Sequence, residues 1–277
     1  MRVLVLGDVI DDIIVVPKNQ LRPNTDTVAK ISQTLGGSAG NIASWASYAG
    51  ADVTFIGCVN ERDLSRVTEQ FALYGVKVNL QTSSKETGKL VSIVEGSSRT
   101  MLTDRAANFD LDFNLISDSY LEKFGFVFLS GYCIFEKEIT DVVKFLGRVK
   151  DLGIKVMIDP GSAGFIRDYG ISDFSKAISL ADLYLPNEDE FELVGPVAKT
   201  TIVTKGEAGV DLYEHGELVE SFEIQPIQAI DPTGAGDSFS GTVLAQLANE
   251  KSFREAINLG ISNAAKAVLT IGARPQL

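Results

Sequence analysis

The first apolar run of the chain, Arg2–Leu6, stops at Gly7 and has the length of a buried strand. A second such run covers Val53–Val59. Others lie at Phe126–Leu129, Lys155–Ile158, Leu183–Leu185 and Thr201–Val203. Between these runs the apolar residues recur at helical spacing. Gly36-Gly37-Ser38-Ala39-Gly40-Asn41 opens an Ala-rich helix to Tyr48, and Glu61–Tyr74 carries Leu64, Val67 and Phe71 on or beside one face. A further helix is predicted from about Glu136 to Asp151, an acidic one between Leu185 and Thr201, and small-residue helices over Ser238–Ala248 and Phe253–Leu269. Strands alternating with helices predict an α/β fold with a doubly wound, mostly parallel sheet and helices on both faces, in a single domain over 1–277. Ligands of such sheets sit outside the carboxyl ends of the strands. Gly7, Gly131, Asp159, Asn187 and Lys205 each closely follow a predicted strand and are expected on one functional rim.

Two stretches break this rhythm. Residues 13–34 hold Ile13–Val16, a loop with Pro17, Pro23 and Asn24, and then Val28–Ile31. Residues 88–103 read as a hairpin: Leu90–Val94, a Glu95-Gly96-Ser97-Ser98 turn, then Arg99–Thr103. The expectation is that the two meet as one small β-sheet that lies over the rim as a lid; the alternative is two local edge hairpins.

Composition narrows the chemistry. The chain has 277 residues, 45% of them hydrophobic and 22% charged, so a packed globular core is expected. Its 25 Lys+Arg against 37 Asp+Glu give a net charge of −12 without a basic stripe, which argues against nucleic-acid binding. Polyphosphate binding would then need backbone N–H groups at a helix start and a bridging metal. Asp8, Asp11 and Asp12 interrupt the apolar start, and no apolar run approaches about 20 residues, so neither a signal segment nor a membrane span is expected and cytoplasm is the default. Cys58 and Cys133, both in apolar runs, read as buried free thiols of a reducing compartment. The single histidine, His215, lies in a polar turn, which removes Ser-His-Asp and His-rich zinc chemistry.

The most informative segment is DPTGAGDSFSG, residues 231–241. Gly234-Ala235-Gly236 before a helix allows a sharp turn with several exposed N–H groups at the positive end of the helix dipole, which is an anion hole. Asp237 then has two readings: a carboxylate capping its helix, or a base beside bound phosphate that takes a proton from a substrate hydroxyl. No G-x-x-x-x-G-K-[ST] run is present, and no G-x-G-x-x-G follows the first strand, where the sequence is GDVIDD.

DPTGAGDSFSG, together with LGGSAGNIA at residues 35–43, resembles the two signatures of the PfkB family of carbohydrate kinases, in the right order and over essentially the whole chain. The resemblance implies a ribokinase-like fold and ATP-dependent phosphorylation of a sugar or polyol hydroxyl. It makes Asp237 the catalytic base and Gly234, Ala235 and Gly236 the anion hole. It also implies substrate-side roles for Gly37 and Asn41, and a sugar-hydroxyl ligand at Asp12, with Asp11 competing because strand alternation points the two apart. Asn187 and Glu190 match an Asn-x-x-Glu element near Mg2+ and the phosphates, often acting through water; the alternative for Glu190 is an acidic helix start. Thr204, Gly206 and Gly209 resemble a nucleotide-contacting loop, and Asn263 with Ala264–Ala267 the adenine-side wall. Arg105, just after the expected lid hairpin, would meet the transferred phosphoryl group or an anionic substrate, or else pair with Asp104 or Asp110. The few residues after Gly272-Ala273 make a shorter tail than many relatives have, with nucleotide-pocket closure expected to differ. A monovalent cation near Asp231 occurs in parts of the family and stays open here, as does a homodimer through the lid. Competing readings are a nucleoside kinase on the same scaffold and a non-catalytic ligand sensor.

Overall fold

The first strand, β1 (Arg2–Leu6), is buried on both faces. In this computed structural model, which describes residues 1–95 and 98–277, its alternate residues enter two different cores. Val3 and Val5 pack with Phe55, Phe128 and Met157, whereas Leu4 and Leu6 pack with Val127, Leu129 and Ile158. A strand apolar at every position is what a parallel sheet covered by helices on both sides requires.

The remaining strands are β2 (Ile10–Pro17), β3 (Ala29–Gly36), β4 (Asp52–Ile56), β5 (Cys58–Asn60), β6 (Lys77–Val78), β7 (Gln81–Ser83), β8 (Gly88–Glu95) and β9 (Ser98–Asp104). They continue with β10 (Phe126–Ser130), β11 (Lys155–Asp159), β12 (Leu183–Tyr184), β13 (Thr200–Thr204), β14 (Val210–Glu214) and β15 (Glu217–Phe222). The helices are α1 (Ser38–Tyr48), α2 (Leu64–Ala72), α3 (Asp118–Leu121), α4 (Gly131–Ile134), α5 (Ile139–Asp151), α6 (Ala163–Tyr169), α7 (Ile171–Ile178), α8 (Glu188–Val194), α9 (Ala235–Ala248) and α10 (Phe253–Ala267).

Among the described residues the large sheet has the order β15-β14-β13-β12-β11-β10-β1-β4-β6. It is parallel from β13 to β6, with β14 and β15 added antiparallel at one edge. The carboxyl ends of β1, β10, β11, β12 and β13 therefore share one rim, where Gly7, Gly131, Asp159, Asn187 and Lys205 follow. The edge hairpin β14–β15 was not expected from the apolar pattern, because its outer strand is largely exposed. Exposed His215 (φ 52°) and Gly216 (φ 86°) make its turn, as the polar turn around His215 suggested. The apolar run Val53–Val59 is two strands, β4 in the large sheet and β5 paired with β7, broken at Gly57, where a Cβ would sit 2.8 Å from the Gly7 carbonyl oxygen.

The two β interruptions form one four-stranded sheet, β3-β2-β8-β9, in which β2 and β8 pair in parallel although about eighty residues separate them. Of the turn expected at Glu95-Gly96-Ser97-Ser98, Gly96 and Ser97 lie outside the described residues. The register sorts the sheet's faces. Asp12 stands opposite Leu90 and Thr34, and Ile14 opposite Ser92, itself opposite Met101. The other face carries the apolar Ile13, Val15, Ile31, Val91, Ile93 and Leu102 beside Gln33 and Thr100, with Ile31 64% and Leu102 59% exposed.

Helices α1 and α9 cross on the large sheet, and small residues set how closely. A Cβ at Gly241 would lie 2.6 Å from the Ile42 carbonyl oxygen and 2.8 Å from Trp45 Cβ. Gly241→Ala is therefore expected to force the helices apart and to lower stability by roughly 1–3 kcal/mol, the usual range for overpacking. The midpoint of urea unfolding measures this.

Candidate active site

The rim residue that organises the site is Asp8, directly after Gly7. Its carboxylate accepts from the backbone N–H groups of Ser38 (3.1 Å) and Ala39 (3.2 Å) at the start of α1, and from Ser130 Oγ (3.3 Å). It caps α1 from outside, since the N-cap residue Gly37 has no side chain and sits at φ 89°. A Cβ at Gly37 would fall 2.7 Å from the Asp8 carbonyl oxygen, which explains the glycine.

The start of α9 is built differently. Gly234 is left-handed (φ 79°), and a Cβ there would meet Ala273 Cα at 2.5 Å, whereas Gly236 opens onto empty space. The first N–H groups of a 14-residue helix thus begin beside an open surface at Gly236, the geometry expected of an anion hole. Asp237 follows in the first turn. Its Oδ1 accepts from Ser38 Oγ (2.8 Å) and its Oδ2 from Asn41 Nδ2 (2.9 Å), so donors from α1 hold the carboxylate. Burial, reinforced by the charges of Asp159 and Asp8 and opposed by the two donors, pushes this carboxyl up to about 7. Both signature segments therefore meet at one carboxylate.

Asp11 and Asp12 separate as strand alternation requires. Asp11 makes a two-pronged ion pair with Arg66, both bonds 2.8 Å. Asp12 faces a cavity of about 570 Å³ between the small sheet and the large domain, a volume suited to a small ligand. Burial, then the nearby Asp8 charge, pushes its carboxyl up to about 7, with Arg274 pulling it down. Leu90, Ser92, Asn41 and Tyr74 share this cavity, as do residues 271–277. That segment is anchored by Trp45 Nε1 on the Ala273 carbonyl oxygen (2.9 Å) and by Gly272 N–H on Asp231 Oδ2 (3.2 Å).

On the other side of Asp237, Asp159 and Glu190 form a buried pair. Both carboxyls are held above the ordinary range by burial, Asp159 also by the Glu190 charge. Glu190 fulfils the structural alternative: Asn187 Oδ1 accepts from Glu190 N–H (3.0 Å) and Glu190 Oε2 from Asn187 N–H (2.8 Å), a capping box for α8. That cap uses Oε2 alone. Among the described residues no three His, Cys, Asp or Glu side chains converge, so a metal here would be held by one or two carboxylates with water and phosphate oxygens. This donor set fits Mg2+. Thr204 adjoins the same edge, its N–H bonded to the Pro186 carbonyl oxygen (3.0 Å), and Gly206 (φ 53°) and Gly209 (φ 100°) shape the following turn.

Two expected site residues have side chains engaged within the protein. Asn263 is buried, donating to Thr242 Oγ1 (3.1 Å) and accepting from Lys266 Nζ (3.2 Å), so its side chain ties α10 to α9. Arg105 pairs with neither Asp104 nor Asp110: it is buried in an ion pair with Glu136, its guanidinium carbon 4.7 Å from the Tyr132 ring centroid and within reach of the Asp8 charge. Two residues were missed in the sequence. Asp8 could have been found as a carboxylate at a strand's carboxyl end. Arg274 carried no motif signal; its Nε donates to Asn41 Oδ1 (3.2 Å) inside the site.

A doubly wound sheet with a separate small sheet and paired glycine-rich helix starts on one rim defines a ribokinase-like kinase scaffold. The sequence matches the pfkB family carbohydrate kinase over residues 1–277, and the chain belongs to that family, which makes it a kinase of the sugar-phosphorylating class. It is 28% identical to the ribokinase of Haemophilus influenzae over 302 residues, covering 99% of this chain and 94% of that protein. It is 26% identical to the bifunctional protein HldE of Escherichia coli O9:H4, covering 92% of this chain but only 57% of HldE. In structure it resembles the adenosine kinase of Sinorhizobium meliloti (TM-score 0.85, 21% identity, 100% of this chain and 96% of that one). It equally resembles a chain described as a ribokinase II of E. coli in complex with ATP and Mg2+ (TM-score 0.85, 21% identity, 98% and 94%). The family uses ATP, and among the described residues no helix is long and apolar enough to cross a membrane.

The half-buried Asp12 carboxylate, without a hydrogen-bond partner among the described residues, yields a stability prediction. Its folded value near 7 exceeds the unfolded value of about 3.9, so the native state binds the extra proton between these limits and stability falls as pH rises through them. Asp12→Asn is expected to raise Tm at pH 8, with the gain shrinking as the pH is lowered toward about 4, as read by calorimetry.

Proposed function

We propose that the protein transfers the γ-phosphoryl group of ATP to a hydroxyl of a sugar or sugar-like polyol, with Asp237 as general base. The observation that carries this is the Asp237 carboxylate itself. It lies at the anion-hole turn, is held by donors of the other signature helix, and has a proton affinity near neutrality, as a general base requires. Asp237 takes the proton of the acceptor hydroxyl as its oxygen attacks phosphorus in line, while the N–H groups at Gly234, Ala235 and Gly236 take up phosphate charge. Asp12 and Asn41, with the turn at Gly37, hold the acceptor's other hydroxyls. Asn187, Thr204, Gly206, Gly209 and the α10 wall near Asn263 serve the nucleotide. Glu190 with Asp159 would hold Mg2+ through water; when bound, that ion supplies charge neutralisation of the phosphates. Arg105, fixed against Tyr132 and Glu136, contributes positive potential from below the rim rather than a direct contact.

The small sheet is a lid in this reading. Its Asp12 face closes the cavity and would exclude water, a competing acceptor. Its opposite face, rich in exposed apolar side chains such as Ile31 and Leu102, suits a homodimer through the lid, which sedimentation would detect. The buried free thiols Cys58 and Cys133 suit a cytoplasmic location. A nucleoside acceptor is the second reading, favoured by aromatic Tyr74 in the cavity wall. Against it, the Arg274 guanidinium already covers that ring, 5.5 Å from its centroid.

An ADP-release screen over sugars, cyclitols, acid sugars and nucleosides tests the reading; release with none of them would leave a ligand sensor. With the acceptor found, Asp237→Asn is expected to lower kcat by ~10²–10⁴-fold while ATP binding, followed by calorimetry, changes little. The base works ionised, so kcat/KM should fall as pH drops below about 7. Acceptor binding should also slow amide hydrogen exchange in both β2–β3 and β8–β9, more than ATP alone does. Exchange unchanged in either pair would remove the lid.

A further inference from the structure

Asn41 stands between two partners that demand opposite ends of its amide. Nδ2 donates to Asp237 Oδ2 at 2.9 Å, and Oδ1 accepts from Arg274 Nε at 3.2 Å. An amide flipped by half a turn has nearly the same shape, but it would turn its carbonyl oxygen onto the Asp237 carboxylate. A guanidinium can only donate, so it selects Oδ1 and thereby turns Nδ2 to the base. Arg274 is well fixed for this task. It is 9% exposed, and its guanidinium carbon lies 4.9 Å from the Phe71 ring centroid and 5.5 Å from that of Tyr74. The residues just before it are anchored on Trp45 and Asp231. Its Nη2 is buried without a hydrogen-bond partner among the described residues, an arrangement costly enough to need a reason.

We propose that Arg274 is a positioning residue for phosphoryl transfer: its Nε–H locks Asn41 in the one amide orientation that donates to Asp237. The catalytic consequence rests on Asp237 being the base; the structural consequence does not. The charged and titratable groups that face Asp237 are Asp8, Asp12, Asp159, Tyr132 and Arg274, with Ser38 and Asn41 as direct donors. Without Arg274 the amide is free to rotate when Asp237 is protonated and to accept the carboxyl proton at Oδ1, an arrangement that favours the neutral form. The proton affinity of Asp237 then rises.

The test is carboxyl-carbon NMR of protein labelled at aspartate, with the Asp237 signal assigned by Asp237→Asn. Arg274→Met should move the Asp237 titration about one pH unit higher, the worth of a charge-assisted hydrogen bond. In an Asn41→Ala background the same substitution should move it far less, because no amide remains to act through. Equal movement in both backgrounds would make Arg274 a remote charge and overturn the proposal, as would no movement in either. Should Arg274→Met not fold, Arg274→Lys, which keeps the charge but loses the planar Nε, is compared in the same two backgrounds. A rise only where Asn41 is present supports the lock, and no rise overturns it. With the acceptor in hand, Arg274→Met should lower kcat and shift its acid limb upward. A raised KM with intact kcat would instead make Arg274 an acceptor contact and overturn the proposal. If the wild-type protein phosphorylates nothing, the base reading fails while the NMR titration still decides the positioning role.

Discussion

The site depends on one carboxylate held from a neighbouring helix. Asp237 sits in the first turn of α9, yet its two hydrogen bonds come from Ser38 and Asn41 of α1. That arrangement ties two helix starts together at the rim of the sheet. Each start carries positive partial charge and unpaired N–H groups, so two of them side by side need anions. Asp8 supplies one for α1 by taking the Ser38 and Ala39 N–H groups, whereas no side chain caps the α9 start and the Asp237 carboxylate turns to donors of α1. The small residues at the α1–α9 crossing then have a chemical as well as a packing purpose. Any wedge that separates the helices also lengthens the bonds that hold the carboxylate.

The rim collects much of the acidity of a chain with net charge −12, and the carboxylates are not equivalent. Asp8 is settled by backbone donors, Asp11 by Arg66, and Asp231 by the N–H groups of Thr233 and Gly272. Asp12, Asp159, Glu190 and Asp237 are left with proton affinities above the ordinary range. Buried carboxylates of this kind lower stability at neutral pH, and they cluster where chemistry needs a group poised near neutrality.

Much of this was legible in the sequence for physical reasons that differ by residue. The α/β alternation was readable because a parallel sheet must be apolar on both faces, and β1 shows that need residue by residue. The order of Asp11 and Asp12 was only half readable: alternation says they part, but the partner that settles Asp11 is Arg66, 55 positions away. Glu190 was read as cap or metal ligand, and the cap is real while one oxygen stays uncommitted, so the two readings were never exclusive. The ion-pair partner of Arg105 was not legible because Glu136 lies beyond the local sequence on which an ion pair can be guessed. Arg274 was invisible for the same reason, its partner Asn41 being 233 positions away. Local rules recover elements and turns; the pairings that complete a site are made by topology.

The same separation explains why the motifs define the reaction and not the acceptor. The signature residues are engaged with one another: Ser38 and Asn41 with Asp237, and Gly37 with the Asp8 backbone. The cavity wall around Asp12 comes from elsewhere, from β2, β3, β8 and β9, from Tyr74, and from residues 271–277. Discrimination between similar polyols is strongest where a buried polar group is left unpaired by the wrong ligand. Ser92 Oγ is such a group, buried on the Asp12 face without a partner among the described residues. Much of this wall, including Leu90, Ser92 and Tyr74, lies outside both signature segments, so the signatures alone do not describe the cavity.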